Sequence, residues 1–165
     1  MTLAARPASP EDAPIIAQIY NEGIDDRVGT FETRPRTVAD VAAWFDGVHP
    51  IVVVEAEGAV VAFAATSNYR SRDCYAGIAE FSVYVARHAR GKGAGAVAMR
   101  ALIDAVKPAG IWKLVSRIFV ENDASRRLMA SMGFREVGIY EKHAKLDGEW
   151  RDVVIVERLI HENQD

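Results

Sequence analysis

Arg90-Gly91-Lys92-Gly93-Ala94-Gly95 is the stretch whose reading decides the fold. Just upstream, residues 79–85 (Ala-Glu-Phe-Ser-Val-Tyr-Val) predict a strand. Just downstream, Val97, Leu102, Ile103 and Val106 recur at helical spacing and predict a helix over 93–106. A glycine loop between strand and helix lets backbone N–H groups approach a ligand closely. The helix start adds partial positive charge, and the combination suits a pyrophosphate. A phosphate-binding P-loop needs Gly-x-x-x-x-Gly-Lys-Ser/Thr, which is absent. A dinucleotide fingerprint fits Gly91, Gly93 and Ala96, with Glu121 as the ribose-binding acid. Against it, five residues (86–90) separate the loop from its strand, and the loop lies mid-chain. A turn with a glycine-rich helix start is the plain structural alternative.

Outward from the loop, helix and strand signals alternate. Ser9-Pro10 opens a helix carrying Ile15, Ile16, Ile19 and Tyr20, with Gly23 as its expected end. Thr37 with Asp40 caps a second helix whose stripe is Val38, Val41, Trp44 and Phe45. Strands over 51–54 and 60–65 flank Glu57-Gly58 as an antiparallel hairpin. A strand over 114–120, a helix over 123–132 closed by Gly133, and strands over 137–145 and 153–159 complete the chain. Asp147-Gly148 supplies the last turn. The order predicts an α/β layer around a mixed sheet. Nothing reads as a linker or repeat, so one domain over 1–165 is expected.

Composition narrows the function class. The 165 residues are 50% hydrophobic and 26% charged, which argues against disorder. Acids exceed Lys plus Arg by 23 to 20, a net charge of −3, the reverse of a nucleic-acid binder or a polybasic membrane anchor. Cys74 is the single cysteine, and the four histidines lack zinc spacing, so neither a disulfide framework nor a metal is expected. A cytoplasmic chain with no signal peptide and no membrane span is expected.

Two motifs carry a family resemblance. Arg90, Gly93 and Gly95 form Arg-x-x-Gly-x-Gly, which resembles the acetyl-CoA pyrophosphate loop of the GNAT N-acetyltransferases. Asn122-Asp123-Ala124-Ser125 followed by Met132-Gly133-Phe134 resembles a second element of that family. The likeness runs through nearly the whole chain and is nearest the phosphinothricin and arsinothricin acetyltransferase branch. It is carried there by Thr30-Phe31, Arg70-Ser71-Arg72, Tyr75, Ala79-Glu80, Val83-Tyr84-Val85 and Gly148-x-Trp150-x-Asp152-Val153.

The resemblance implies a GNAT fold: a central mixed, mostly antiparallel sheet, splayed in the middle, with helices on both faces. It implies acetyl-CoA as cosubstrate, held by Val83, Tyr84 and Val85, by the loop residues Arg90, Gly91, Lys92, Gly93, Ala94 and Gly95, and by Asn122 and Ser125. The thioester arm then enters the splay as an extra strand beside Val83 and Val85. Asn122 and Ser125 equally suit helix caps.

Strand alternation puts Glu80, Ser82 and Tyr84 on one face, with Phe81, Val83 and Val85 on the other. An alkyl ammonium must lose a proton before it attacks a thioester, so a base is needed. Glu80 matches the family's base, and a half-apolar strand is expected to raise its affinity for protons. Arg70 and Arg72, two apart, are expected to face one side of an extended segment and bind anionic groups in bidentate fashion. The resemblance makes them, with Phe31, Tyr75 and Ser82, the substrate site. Solvated loop arginines and a core Phe31 are the competing readings. Glu22 reads as an exposed helical acid.

Met129 departs from the family: many relatives carry Tyr or His there as donor to the leaving thiolate. Either the thiolate leaves unprotonated or with water's help, or a different residue such as Tyr140 donates. Cys74 reads as a pocket or buried thiol, not a nucleophile.

The expectation is an acetyl-CoA:amine N-acetyltransferase acting on the α-amino group of a small anionic amino-acid analogue, of the phosphinothricin, arsinothricin or methionine sulfone type, with a detoxifying or antibiotic-resistance role. Another acceptor amine (a protein N-terminus, polyamine or aminoglycoside) and a non-catalytic acyl-CoA sensor are the rivals. The resemblance also implies a homodimer, with the final strands and Trp150 as contacts.

Overall fold

A computed structural model describes residues 2–165. Its strands are β1 (Leu3–Pro7), β2 (Ile51–Ala56), β3 (Ala59–Asn68), β4 (Ile78–Val85), β5 (Lys113–Phe119), β6 (Arg135–Leu146) and β7 (Glu149–Leu159). Its helices are α1 (Ala13–Asp25), α2 (Val38–Ala42), α3 (Ala94–Val106) and α4 (Asp123–Ser131). Among the described residues the strands form one sheet in the order β1-β2-β3-β4-β5-β7-β6. Every neighbouring pair is antiparallel except β4–β5, which is parallel.

The parallel pair is the short one. β4 and β5 are in register only at Ile78–Lys113, Ala79–Leu114 and Glu80–Val115. On its other side β4 stays paired with β3 as far as Val85. The Ser116 hydroxyl donates to the Phe81 carbonyl at 2.9 Å, a side-chain link just past the last paired residues. Beyond it the two strands part, as the family resemblance implies.

Alternating side chains on β4 divide the two layers of the core. Tyr84 packs edge-on against Tyr20 of α1 and stacks with Phe63 of β3. Phe81, on the opposite face, packs against Phe134 at the end of α4. Met99 and Leu102 of α3 are fully buried within the same core as Phe63. Each such side chain contributes about 1.5–3 kcal/mol by leaving water. The N-terminal strand is anchored by Arg6, whose two terminal nitrogens bond both carboxylate oxygens of Asp12 at 2.8 and 2.9 Å. That pair of hydrogen bonds holds the Asp12 carboxyl below the ordinary carboxylate range.

Three local readings are corrected. β1 escapes the sequence reading because Leu-Ala-Ala-Arg-Pro lacks a β-branched run; it is held by backbone pairing with β2. Gly23 does not end α1, which runs to Asp25. It is buried there because a Cβ would stand 2.7 Å from the Tyr84 ring, so the helix can approach β4 only with glycine at this point. α2 stops at Ala42, leaving Trp44 and Phe45 packed on the core from the following turn.

Candidate active site

The site grows from the parting of β4 and β5. The Ala86 N–H bonds Val61 of β3. Strand alternation then turns the backbone groups of Val85, Val83 and Phe81 toward β5. Two contacts agree: Ser116 reaches the Phe81 carbonyl, and Arg90 Nε donates to the Val85 carbonyl at 3.3 Å. The Val83 N–H and C=O therefore face a gap from which β5 has withdrawn. Buried backbone groups need partners, and a mid-sheet gap offers them to an extended ligand.

Cavities run through this gap in sequence. The first, about 490 Å³, lies between the glycine loop and α4, lined by Val85, Gly91, Gly93, Gly95, Ser125 and Leu128. A narrower one joins it along Val83, Asn122 and Ser125, with Met129 in its wall. The third, about 340 Å³, is lined by Tyr20, Phe31, Glu80, Ser82, Arg117 and His143. A fourth lies outside it and shares Glu80, Arg117 and His143, adding Arg70 and Tyr140.

The first cavity opens on the start of α3. Gly93 caps α3 in the left-handed region at φ 90°, so the helix N-terminus opens directly on the cavity. A Cβ on Gly95 would meet Leu128 Cδ2 at 3.3 Å and Val85 Cγ2 at 3.7 Å, closing the cleft between α3, β4 and α4. Lys92 is exposed at the loop tip, while the Ala94 side chain points into the core, leaving only its backbone for a ligand. Arg90 lines the cavity, but its charge is engaged: Nη1 bonds Asp26 at 2.7 Å. Arg87 grips the same carboxylate at 2.9 and 3.0 Å. Arg87 and then Arg90 hold the Asp26 carboxyl down to about 2. This latch is complete above the ordinary carboxylate range and is lost as pH falls through about 2. Glu22 is not a free exposed acid; it accepts the Arg87 N–H at 2.9 Å and ties α1 to the same turn.

Asn122 performs two structural tasks at the cavity junction. Its oxygen caps α4 by accepting the Ser125 N–H at 3.1 Å. Its nitrogen donates to the Val28 carbonyl at 3.0 Å. Asn122 therefore caps α4 and also lines both inner cavities, as does Ser125.

Glu80 and Ser82 converge as alternation requires. The half-apolar setting expected for Glu80 is corrected: Arg117 Nη2 donates to its Oε1 at 2.6 Å. Arg117 Nη1 stands 3.4 Å from His143 Nε2. Neither Arg117 nor His143 was singled out from sequence. Ser-Arg within a β5 run of apolar residues is one available signal; His143 enters through an irregular stretch of β6 near Lys142, where φ is 46°. Phe31 joins cavity and core, lying edge-on to Phe119 with ring centroids 5.1 Å apart.

Arg70 and Arg72 do not share a side of an extended strand. They sit on a bend leading into a 3-10 turn over 73–75. Arg70 stacks over Tyr69 at 4.7 Å and reaches the outer cavity beside Glu80. Arg72, Cys74 and Tyr75 are exposed on that turn, with Tyr75 edge-on to Tyr69. Cys74 is thus neither a pocket nor a buried thiol. Tyr140 lines the outer cavity next to His143, not the middle one containing Met129. Among the described residues no cluster of three or more His, Cys, Asp or Glu is arranged to hold a metal ion, and no helix is long and apolar enough to cross a membrane.

A glycine-loop cavity joined to a carboxylate through a splayed parallel pair defines an acyl-CoA-dependent acyltransferase site. Residues 2–135 match the acetyltransferase (GNAT) domain model, and the chain belongs to the GNAT acetyltransferase family. It is an acetyl-CoA-dependent N-acetyltransferase. It is 33% identical over 160 residues to phosphinothricin N-acetyltransferase of Streptomyces coelicolor, covering 93% of this chain and 94% of that one. It is 31% identical over 162 residues to an L-methionine sulfoximine/L-methionine sulfone acetyltransferase of Pseudomonas paraeruginosa, covering 95% and 94%. A crystal structure of a GNAT superfamily phosphinothricin acetyltransferase from Sinorhizobium meliloti in complex with acetyl-CoA superposes with a TM-score of 0.89 at 30% identity, covering 96% and 89%.

The Gly95 cleft gives a direct test. Gly95→Val places a branched side chain between Leu128 and Val85 without altering the helical backbone. Calorimetric titration with acetyl-CoA is expected to show at least tenfold weaker binding, with circular dichroism unchanged. Wild-type affinity in a folded variant would mean that this cleft does not hold the cosubstrate.

Proposed function

We propose that the protein transfers the acetyl group of acetyl-CoA to the α-amino group of a small anionic amino-acid analogue of the phosphinothricin, arsinothricin or methionine sulfone type. The observation that carries this reading is the junction of cavities: the narrow cavity from the glycine loop opens along Ser82 and Arg117 into a chamber that also holds the Glu80 carboxylate and His143, with Arg70 further out. A cationic acceptor such as a polyamine would meet guanidinium groups there, whereas an anionic acceptor is attracted. The names of the S. coelicolor and P. paraeruginosa relatives agree with that acceptor class.

In this reading the chain acts as one domain. Val83, Tyr84 and Val85 border the thioester arm, the loop from Arg90 to Gly95 borders the pyrophosphate, and Asn122 with Ser125 borders the join between them. Glu80 takes a proton from the acceptor ammonium, directly or through water. The free amine forms the new C–N bond to the acetyl carbon, the C–S bond breaks, and CoA leaves as thiolate. The Val83 N–H, turned into the gap, is available to polarise the thioester carbonyl. Met129 is buried and donates nothing, so the thiolate departs unprotonated or takes its proton from water. Ser82 and Phe31 wall the acceptor chamber, with Arg70 at its mouth; Arg72 and Tyr75 lie on the adjoining turn. The setting is cytoplasmic and the role detoxification or antibiotic resistance.

Glu80→Gln keeps the shape of the side chain and removes the base. Thiol release with phosphinothricin or methionine sulfone is expected to fall by about 10²-fold or more in kcat, with acetyl-CoA affinity within about twofold of wild type. Unchanged turnover would remove Glu80 from proton transfer.

We also propose a homodimer built on the final hairpin. β6 is an edge strand exposed along nearly its whole length, and Val137, Ile139, Tyr140 and Trp150 stand exposed on it and on β7. Such an edge invites pairing unless it is covered. Sedimentation velocity is expected to give twice the 18.1 kDa chain mass, and Ile139→Asp to return it to one chain. A wild-type monomer at micromolar concentration would contradict this.

A further inference from the structure

Arg117 lies on β5 just past the point where pairing with β4 ends. It borders three of the connected cavities: the middle one, the acceptor chamber and the outer one. Its guanidinium meets the Glu80 carboxylate at 2.6 Å, and both groups remain reachable, at 45% and 33% side-chain exposure. Ion pairs this exposed contribute little to stability, about 0–1 kcal/mol, so stability gives small reason for an arginine here.

The pair is instead a charge pattern. An α-amino acid carries an ammonium and a carboxylate on one carbon, two bonds apart. A carboxylate and a guanidinium in contact present the inverse pattern at the same short spacing. The ammonium fits against Glu80, which is the proton acceptor of the proposed reaction. The α-carboxylate then falls on Arg117, whose fork suits two parallel N–H···O bonds. The exchange leaves each charge partnered throughout, so no isolated ion is stranded in the chamber.

We propose that Glu80 and Arg117 form a zwitterion clamp in which Arg117 is the α-carboxylate subsite, its contact with Glu80 giving way to the acceptor. The proposal rests on the acceptor class given above and deepens it. Arg117, not the Arg70–Arg72 bend, holds the α-carboxylate. Arg70 in the outer cavity is left to face the acceptor's distal group. His143 stands 3.4 Å from Arg117 Nη1, the terminal nitrogen that Glu80 does not hold. The clamp selects acceptors with a carboxylate next to the amine. It disfavours polyamines and peptide N-termini, which have none there.

The test compares an acid with its own amide. L-methionine sulfone and its primary amide differ at the α-carboxylate and keep the same amine and distal sulfone. Thiol release from acetyl-CoA is measured with both for wild type, Arg117→Gln and Arg117→Lys, beside calorimetric acetyl-CoA affinity. Wild type is expected to prefer the acid at least tenfold in kcat/KM. Arg117→Gln is expected to lower kcat/KM for the acid by about 10- to 100-fold. Because Arg117 also contacts the Glu80 carboxylate, the readout is the acid-to-amide ratio within each variant, and in Arg117→Gln that ratio is expected to fall to about one. Arg117→Lys should restore part of it, with acetyl-CoA affinity unchanged in both variants. An acid preference that survives in Arg117→Gln or is absent in wild type would overturn the clamp while leaving the acceptor class in place. Failure of wild type on both compounds and on phosphinothricin, with thiol release on spermidine or a peptide, would overturn the acceptor class and the clamp with it.

Discussion

The early end of pairing between β4 and β5 is the constraint on which the rest of the structure depends. A sheet interior normally satisfies every backbone donor and acceptor. Here the parallel register stops at Glu80–Val115 while β4 continues on its other side to Val85. Ser116 closes one more backbone group with its hydroxyl, and Arg90 takes the Val85 carbonyl. The Val83 groups between them face open space. The last paired residue on β4 is Glu80, whose carboxylate lines the chamber, so the gap and the proposed proton acceptor share one origin.

Charge pairs hold the two ends of the gap in different ways. At the cosubstrate end, Asp26 binds both Arg87 and Arg90, and Glu22 holds the Arg87 backbone. The glycine loop is thereby hung from α1, and Arg90, which also lines the cavity, already has a partner for its charge in Asp26. At the acceptor end the Glu80–Arg117 pair is exposed to the chamber, where a solute can compete for it. A network of four charges suits a fixed scaffold, and a single accessible pair suits exchange.

The fold and the glycine-loop turn beside the first cavity were largely legible in the sequence because they rest on local rules. Glycines between strand and helix, β-branched runs and the Asp147-Gly148 turn, with φ of 51° and 82°, leave little latitude. β1 was missed because its stability is non-local, coming from β2 and from the Arg6–Asp12 contact. The acceptor chamber was legible only in part. Glu80 and Ser82 follow from alternation on one strand, whereas Arg117 and His143 come from β5 and β6 and meet through tertiary packing alone. Arg70 and Arg72 were misread because two-residue spacing means a shared face only in an extended chain, and theirs bends into a 3-10 turn.

The central claim is that the gap beside β4 receives the thioester arm as an added strand. Residue-resolved amide hydrogen exchange with and without acetyl-CoA tests it most directly. The account predicts new protection at the Val83 amide, together with the amides of the glycine loop, when acetyl-CoA is added. Protection confined to the glycine loop, with Val83 exchanging as in the free protein, would contradict it.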